Sequence, residues 1–376
     1  MLQLIKMNSG KTLVIAEIGT SHGGSLDKAK KLIDGAKEAG ADIIKFQWVY
    51  AEEILHPLTG FVNLPTGKIP LYDRFKELEV APEFFRDCLE YTKSLGAKFM
   101  CSPFGLRSLH ELIQIQPDYI KIASPELNHY PLLNELKNSN PGIPVILSSG
   151  VSRKEDIHKA LDITGTQNTT LLHCITSYPA PEDEYKVRLI DTLSRDFNIS
   201  TGISDHSLDP VLVPCLAISQ GAAMIEKHIT LSKETDGLDD PVALDLEQFA
   251  HMCFCVHQSD AVLRHYGFEK GQKEIIRQME DQYGTERVQK VLGSGIKKLA
   301  PSEEANYGRT NRSCHFMGDF TKGHVIQKGD IEVLRTEKVL SVGISPEFYD
   351  FLTGKILARD VKNGDGVQKE DFNLDF

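Results

Sequence analysis

A chain of 376 residues, 41% hydrophobic and 25% charged, can bury a large core and reads as a folded globular protein, not a fibrous or disordered one. Lys and Arg number 42 against 53 Asp and Glu, and the resulting net charge of −11 argues against nucleic acid or an anionic membrane as the main partner. Residues 1–6 lack the apolar core of a signal peptide, no later run reaches membrane-spanning length, and seven cysteines without a CxxC pair disfavour disulfides or a zinc knuckle, so a cytoplasmic location is expected.

Short β-rich runs alternate with helical patterns from Thr12 onward. They fall at 12–19, 41–47, 97–102, 118–123, 143–148, 169–175, 199–204 and 222–228, the number that a closed α/β barrel of the (β/α)8 type requires. Between the first two, Leu26, Ala29, Leu32, Ile33 and Ala36 recur at helical spacing behind a Ser25 N-cap, and Gly40 ends the helix. The connection over 49–80 is long and rich in Pro and Gly, which predicts a functional loop at the barrel mouth before a helix over 82–95. A helix over 246–266 closes the ring. The polar segment that follows predicts a domain boundary, giving a barrel over 1–271, a linker over 272–308 and a small β-rich module over 309–376, with apolar alternation at 334–342 and regularly placed glycines.

In a parallel barrel the chemistry collects where strands end, and the predicted ends carry Glu17, Lys45 with Gln47, Ser102, Lys121 with Ser124 and Glu126, Ser148, Thr176 with Tyr178, Ser204 with His206, and Glu226 with His228. Singly, each has an ordinary explanation: serine caps helices and lysine is solvated. Eight coincident polar ends on one rim are the signature of an active site. His206 and His228 lie twenty-two residues apart, a βαβ crossover length, so they end consecutive strands. Alone, either would read as a hydrogen-bonded strand terminus; together, flanked by acids, they suit a divalent transition metal. Two lysines among hydroxyl groups suit a phosphate. Glu17, Glu126 and Glu226 are acid and base candidates, with ion pairing to the rim lysines as the alternative for at least one of them. The pattern reaches a metal-assisted barrel enzyme acting on a phosphorylated anion and leaves the reaction open.

Ala16-Glu17-Ile18-Gly19, Ser21-His22-Gly23-Gly24 and Lys45-Phe46-Gln47, followed in order by Ser102-Pro103-Phe104, Lys121-Ile122, Ser124, Glu126, Leu147-Ser148-Ser149-Gly150, Tyr178-Pro179, Ser204-Asp205-His206 and Glu226-Lys227-His228, resemble the sialic acid synthase family almost end to end. The C-terminal portion, with Arg312-Ser313, Gly329-Asp330-Ile331, Gly343-Ile344 and Asp371, resembles that family's antifreeze-like (SAF) domain. The resemblance implies a TIM barrel that condenses phosphoenolpyruvate with an N-acylated amino sugar aldehyde of the N-acetylmannosamine type, plus water, to a sialic (nonulosonic) acid and phosphate, in sialic acid or surface polysaccharide biosynthesis. By the same resemblance His206 and His228 are metal ligands, for manganese first and magnesium or cobalt otherwise. Lys45, Ser102, Lys121, Ser124, Ser148, Thr176 and Ser204 form the phosphoenolpyruvate cradle. Glu17, Gln47, Tyr178 and Asp239 match positions near the sugar, and Arg312 matches an arginine that reaches the N-acyl group, in a domain-swapped homodimer where it completes the partner's barrel. Glu17 and Glu126 share the acid and base roles in an undecided order.

Departures from the family pattern cluster on the sugar side: Ser21-His22-Gly23-Gly24 replaces an Asn-His-Asn-Gly type loop, Gly237-Leu238-Asp239-Asp240 replaces Gly-Pro-Asp-His, and Ala243 stands where Ser is common. Two rival readings are a metal-dependent barrel aldolase or epimerase acting on a sugar phosphate, and a carbohydrate-binding or assembly protein.

Overall fold

The computed structural model describes residues 11–64, 67–235 and 237–372, so residues 1–6, expected to carry no leader, lie outside the described residues. Strands β1 (Leu13–Gly19), β2 (Ile43–Trp48), β5 (Lys98–Pro103), β6 (Tyr119–Ile122), β7 (Val145–Ser148), β8 (Thr169–Cys174), β9 (Ser200–Asp205) and β10 (Met224–His228) pair in parallel into a closed barrel. Each neighbour in the ring is also the neighbour in sequence among these eight, and β1 pairs with β10 to close it. Each predicted run lies within about two residues of its strand.

The first helix shows how the sequence dictates this layout. Ser25 Oγ accepts from the Lys28 N–H at 3.2 Å, Gly40 ends the helix Leu26–Ala39 at a φ of 108°, and Ala29, Leu32, Ile33 and Ala36 are buried. Gly35 on this helix has no room for a Cβ, which would collide with Leu246, so the first helix and the last barrel helix (Leu246–Tyr266) approach closely there. Asp260 on that last helix accepts from both N and Oγ1 of Thr12, at 2.7 and 2.8 Å, fastening the ring where it closes.

Three segments differ from the sequence expectation. The connection at 49–80 contains helix Ala51–Ile54, an antiparallel hairpin of β3 (Phe61–Leu64) and β4 (Gly67–Pro70), and helix Leu71–Glu77. Most of the expected linker is helical: Phe268–Tyr283 and Thr285–Leu292 bury Ile275, Met279, Val288, Val291 and Leu292 in the barrel's outer core. Their apolar stripes are narrow and their exposed faces densely charged, so composition alone reads as solvated connector. The actual connector spans 293–311. Beyond it, β11 (Arg312–Phe316) pairs with β12 (Ile331–Arg335) over a separate small core that includes Cys314, Phe316, Ile331 and Val333. The alternation expected over 334–342 leaves strand geometry after Arg335, and Glu337 takes a φ of 54°.

The small domain rests on its own chain's barrel. The Asn128 side chain exchanges two 2.9 Å hydrogen bonds with the Arg312 backbone, and Lys159 pairs with Glu347 at 2.8 Å. Among the described residues no helix is long and apolar enough to cross a membrane.

Candidate active site

Strand side chains alternate with a period of two, so the barrel interior is built in layers. Ile15, Ile43, Met100, Ile146, Leu172 and Met224 form an apolar plug, against which Tyr119 packs. Two residues further along each of those strands stand Glu17, Lys45, Ser102, Ser148, Cys174, Glu226 and Lys121, and Ser204 stands two beyond Gly202. A Cβ at Gly202 would come within 2.8 Å of Leu172 Cδ2, so this strand contributes no side chain to the plug. Seven polar or charged side chains and the Cys174 thiol make one layer resting on an apolar floor.

Within that layer the charges interlock. Lys45 Nζ lies 2.8 Å from Glu17 Oε1 and 3.4 Å from Glu226 Oε1, Lys121 Nζ lies 3.3 Å from the same Glu226 oxygen, and Ser204 Oγ donates to it at 3.0 Å. Gln47 Nε2 donates to Glu17 Oε1 at 2.7 Å. Burial pushes the Glu226 carboxyl up, but Lys121, Lys45 and His228 outweigh it and bring it down to about 2. Burial pulls both lysines down; for Lys45 the carboxylates of Glu17 and Glu226 reverse the direction, whereas Lys121, with Lys45 also near, stays below its ordinary value. Ser102 Oγ, Ser148 Oγ, Thr176 Oγ1, Glu17 Oε2 and Glu226 Oε2 are buried without a hydrogen-bond partner. An unmet buried polar group costs about 1–3 kcal/mol. Three orphaned hydroxyls beside two ammonium groups therefore form a receptor for an oxyanion. Ser124 belongs to it too, since a Cβ at Gly150 would meet Ser124 Oγ at 2.9 Å and collide with Thr176 Oγ1.

Next to this layer the two histidines meet, their ring centroids 5.5 Å apart. His206 Nδ1 donates to the Ile175 carbonyl at 2.7 Å, which leaves Nε2 as the lone-pair nitrogen, the arrangement that orients a metal-binding imidazole. Tyr185 Oη accepts from the His206 backbone N–H at 2.6 Å. Between the two strands, register partners Asp205 and Lys227 form a buried 2.6 Å ion pair. Burial lowers both histidines below their ordinary value, so at neutral pH both are uncharged ligand forms. Among the described residues no group of three or more His, Cys, Asp or Glu could hold a metal. The donor set fits a cation that takes its remaining positions from water and substrate.

Tyr178 stacks on His206 at 4.2 Å, meets His228 edge-on at 6.0 Å and is half-exposed. Asp239 Oδ2 lies 3.7 Å from His228 Nδ1, too far for a direct hydrogen bond. The two departing loops touch each other: Ser21 Oγ and Thr235 Oγ1 both donate to the buried Asp240 carboxylate. His22 lies 4.6 Å from Phe84, burial lowers it to about 4, and its Nε2 has no partner.

Two expected site residues stand elsewhere. Glu126 is fully buried, and its Oε1 accepts from Nε and Nη2 of Arg312 at 3.2 and 3.0 Å and from Nε and Nη2 of Arg335 at 3.0 and 2.7 Å. Gripped on Oε1 by two guanidinium groups, this carboxylate clamps the barrel to the small domain, while its Oε2, like Oε2 of Glu17 and of Glu226, is buried without a hydrogen-bond partner. Arg312 in turn spends its remaining donors on the carbonyls of Glu53, Val333 and Phe104 and is 2% exposed, so it offers no free N–H to an N-acyl group. Within the single chain it lies against its own barrel, through Glu126 and the carbonyls of Glu53 and Phe104.

Sequence reasoning missed Cys174, Tyr185, the Asp205–Lys227 pair, Glu303, Asn311 and Arg335. Cys174 was within reach, because it keeps the parity of the plug residue Leu172. Glu303 and Asn311 carry no periodic signal.

Comparison with known proteins matches residues 32–266 to the NeuB family and residues 318–373 to the SAF domain. The N,N'-diacetyllegionaminic acid synthase of Campylobacter jejuni is 29% identical over 96% of this chain and 99% of its own length. The crystal structure of the spore coat polysaccharide biosynthesis protein spsE of Bacillus subtilis is 29% identical and superimposes with a TM-score of 0.79, covering 97% of this chain and 96% of that one. The N-acetylneuraminic acid synthetase structure from Leptospira borgpetersenii, also 29% identical, superimposes at 0.62 over 73% of this chain and 92% of that one.

Proposed function

Because the chain belongs to the NeuB family and ends in a SAF domain, we propose that it condenses phosphoenolpyruvate with an N-acylated amino sugar aldehyde and water to give a nonulosonic acid and inorganic phosphate. The observation that carries this reading is the set of orphaned hydroxyls of Ser102, Ser148 and Thr176 beside Lys45 and Lys121, next to the paired histidines. The names of relatives that make legionaminic, pseudaminic and sialic-type acids support the product class.

Lys45 and Lys121 supply charge to the phosphate and carboxylate of phosphoenolpyruvate, and the hydroxyls of Ser102, Ser124, Ser148, Thr176 and Ser204 supply directed donors. Carbon 3 of the enol bonds to the aldehyde carbon, and the aldehyde oxygen takes a proton. Water then adds to carbon 2 and loses a proton; the bond from carbon 2 to the bridging oxygen breaks, the new hydroxyl becomes the keto group, and phosphate leaves with the bridging oxygen and that hydroxyl's proton. Glu17 and Glu226 each present one unpartnered carboxylate oxygen and are the proton carriers, with Gln47 and Lys45 fixing the orientation of Glu17. His206 and His228 would hold a divalent cation, manganese by preference, which when bound polarises the aldehyde oxygen. Tyr178 and Asp239 face the acceptor from the histidine side. An N-acetylmannosamine-type sugar is the preferred acceptor, and diacetamido sugars are the next.

Phosphate release from phosphoenolpyruvate, measured over a panel of acylated and unacylated amino sugars, tests the reaction. Release that requires an N-acylated acceptor is expected. No release with any of them, or cleavage of a sugar phosphate without phosphoenolpyruvate, would replace this reading with an aldolase or epimerase.

A further inference from the structure

Behind the hydroxyl cluster lies a carboxylate that the reaction does not use. Glu303 sits in the connector between the two domains, immediately after Pro301 and Ser302, and is fully buried. Its Oε1 accepts from two backbone N–H groups, Val151 and Thr176, both at 2.7 Å, while Oε2 accepts from Ala300 N at 3.2 Å. Thr176 and the turn from Ser148 to Val151 follow adjacent strands, β8 and β7, and supply orphaned hydroxyls to the oxyanion receptor. One connector carboxylate thus ties two βα loops to each other.

Val151 is where the tie bears stress. It adopts a φ of 40°, a left-handed conformation that a β-branched side chain resists at a cost of about 1–3 kcal/mol, and it persists only when the surroundings impose it. Glu303 holds its N–H, and Asn311 Nδ2, from the far end of the same connector, donates to its carbonyl at 3.1 Å. The turn so fixed aims the Gly150 N–H at Ser124 Oγ, 3.0 Å away, and sets Gly150 so close to Thr176 that no side chain fits between them. Relaxing Val151 would move Gly150, Ser124 and Thr176 together.

We propose that Glu303 is a positioning residue for the oxyanion receptor: it clamps the strained Val151 turn and the Thr176 backbone, and so sets the geometry of the hydroxyls that receive phosphoenolpyruvate. The proposal rests on the phosphoenolpyruvate reading. It also assigns the connector a function, since Asn311 adjoins Arg312 and thereby links the seating of the small domain to the anion site.

Calorimetric titration of phosphoenolpyruvate into the full chain, in manganese and without sugar, is combined with KM for both substrates in Glu303→Ala, Glu303→Asp and Glu303→Gln. Glu303→Ala should weaken phosphoenolpyruvate binding by at least about tenfold while the acceptor KM moves by less than about twofold. Glu303→Asp, too short to reach both N–H groups, should show the same selective loss and serves where the alanine variant does not fold. Glu303→Gln keeps an oxygen for both N–H groups and should restore binding to within about threefold of wild type. Wild-type affinity in both Glu303→Ala and Glu303→Asp, or equal losses for the two substrates in a folded variant, would overturn the clamp. Failure of the unaltered chain to bind phosphoenolpyruvate would overturn the functional reading and the clamp with it.

Discussion

The two halves of the barrel mouth are built by different means. On the anion side Glu17, Lys45, Ser102, Lys121, Ser148, Ser204 and Glu226 stand on strands, one layer above the apolar plug, with positions set by hydrogen-bonded register and charges matched within 3.4 Å, and Ser124 and Thr176 stand just past the ends of β6 and β8. On the acceptor side the groups stand on loops: Ser21 and His22 after β1, Tyr178 after β8, Asp239 and Asp240 after β10. The departures from the family pattern fall only on the second half, and two of them, Ser21 and Asp240, bond to each other. A register-fixed layer cannot change one member without disturbing its neighbours, whereas loops can exchange residues in pairs. On the proposed reaction, the comparison assigns phosphoenolpyruvate mainly to the strand-borne layer and the acceptor sugar to the loops.

The largest effect should come where the two halves meet. His206→Ala or His228→Ala removes half of the protein donors to the proposed cation, whose charge stabilisation is worth several kcal/mol, so activity should fall at least about a hundredfold and bound manganese should drop with it. Elemental analysis of the purified variants, alongside phosphate release, checks both; a variant that keeps its activity after thorough chelation would separate the histidines from any metal. The smallest effect should come from Ser21→Ala, which removes one donor from Asp240 and leaves Thr235 in place. A loss of about fivefold or less is expected, confined to the acceptor KM. An equal change in the phosphoenolpyruvate KM would erase the distinction between the halves.

This division also explains what was legible in the sequence. The eight strands, the first helix with its caps, and Glu17, Lys45, Ser102, Lys121, Ser148, Ser204 and Glu226 could be placed beforehand, because period-two alternation and strand ends are local signals. The fate of Glu126 and Arg312 was not, because it depends on Arg335 and on the carbonyls of Glu53, Phe104 and Val333, which come from three separate stretches of chain. The helices Phe268–Tyr283 and Thr285–Leu292 read as a linker in the sequence because only a narrow stripe of each is apolar. Glu303 was invisible for a simpler reason: its partners are backbone N–H groups, which leave no trace in side-chain identity.

The most direct test of the strand-borne layer is the binding of phosphoenolpyruvate to Lys121→Met. Glu226 keeps Lys45 and Ser204 as partners in that variant, so the layer loses one cation without leaving a carboxylate unpaired. Hydrogen bonds to charged groups are worth about 1.5–3 kcal/mol, so titration calorimetry without sugar should show affinity falling by about tenfold to a hundredfold, with the folded state intact by circular dichroism. Phosphoenolpyruvate bound as tightly by Lys121→Met as by the unaltered chain would show that the anion is not received by this layer.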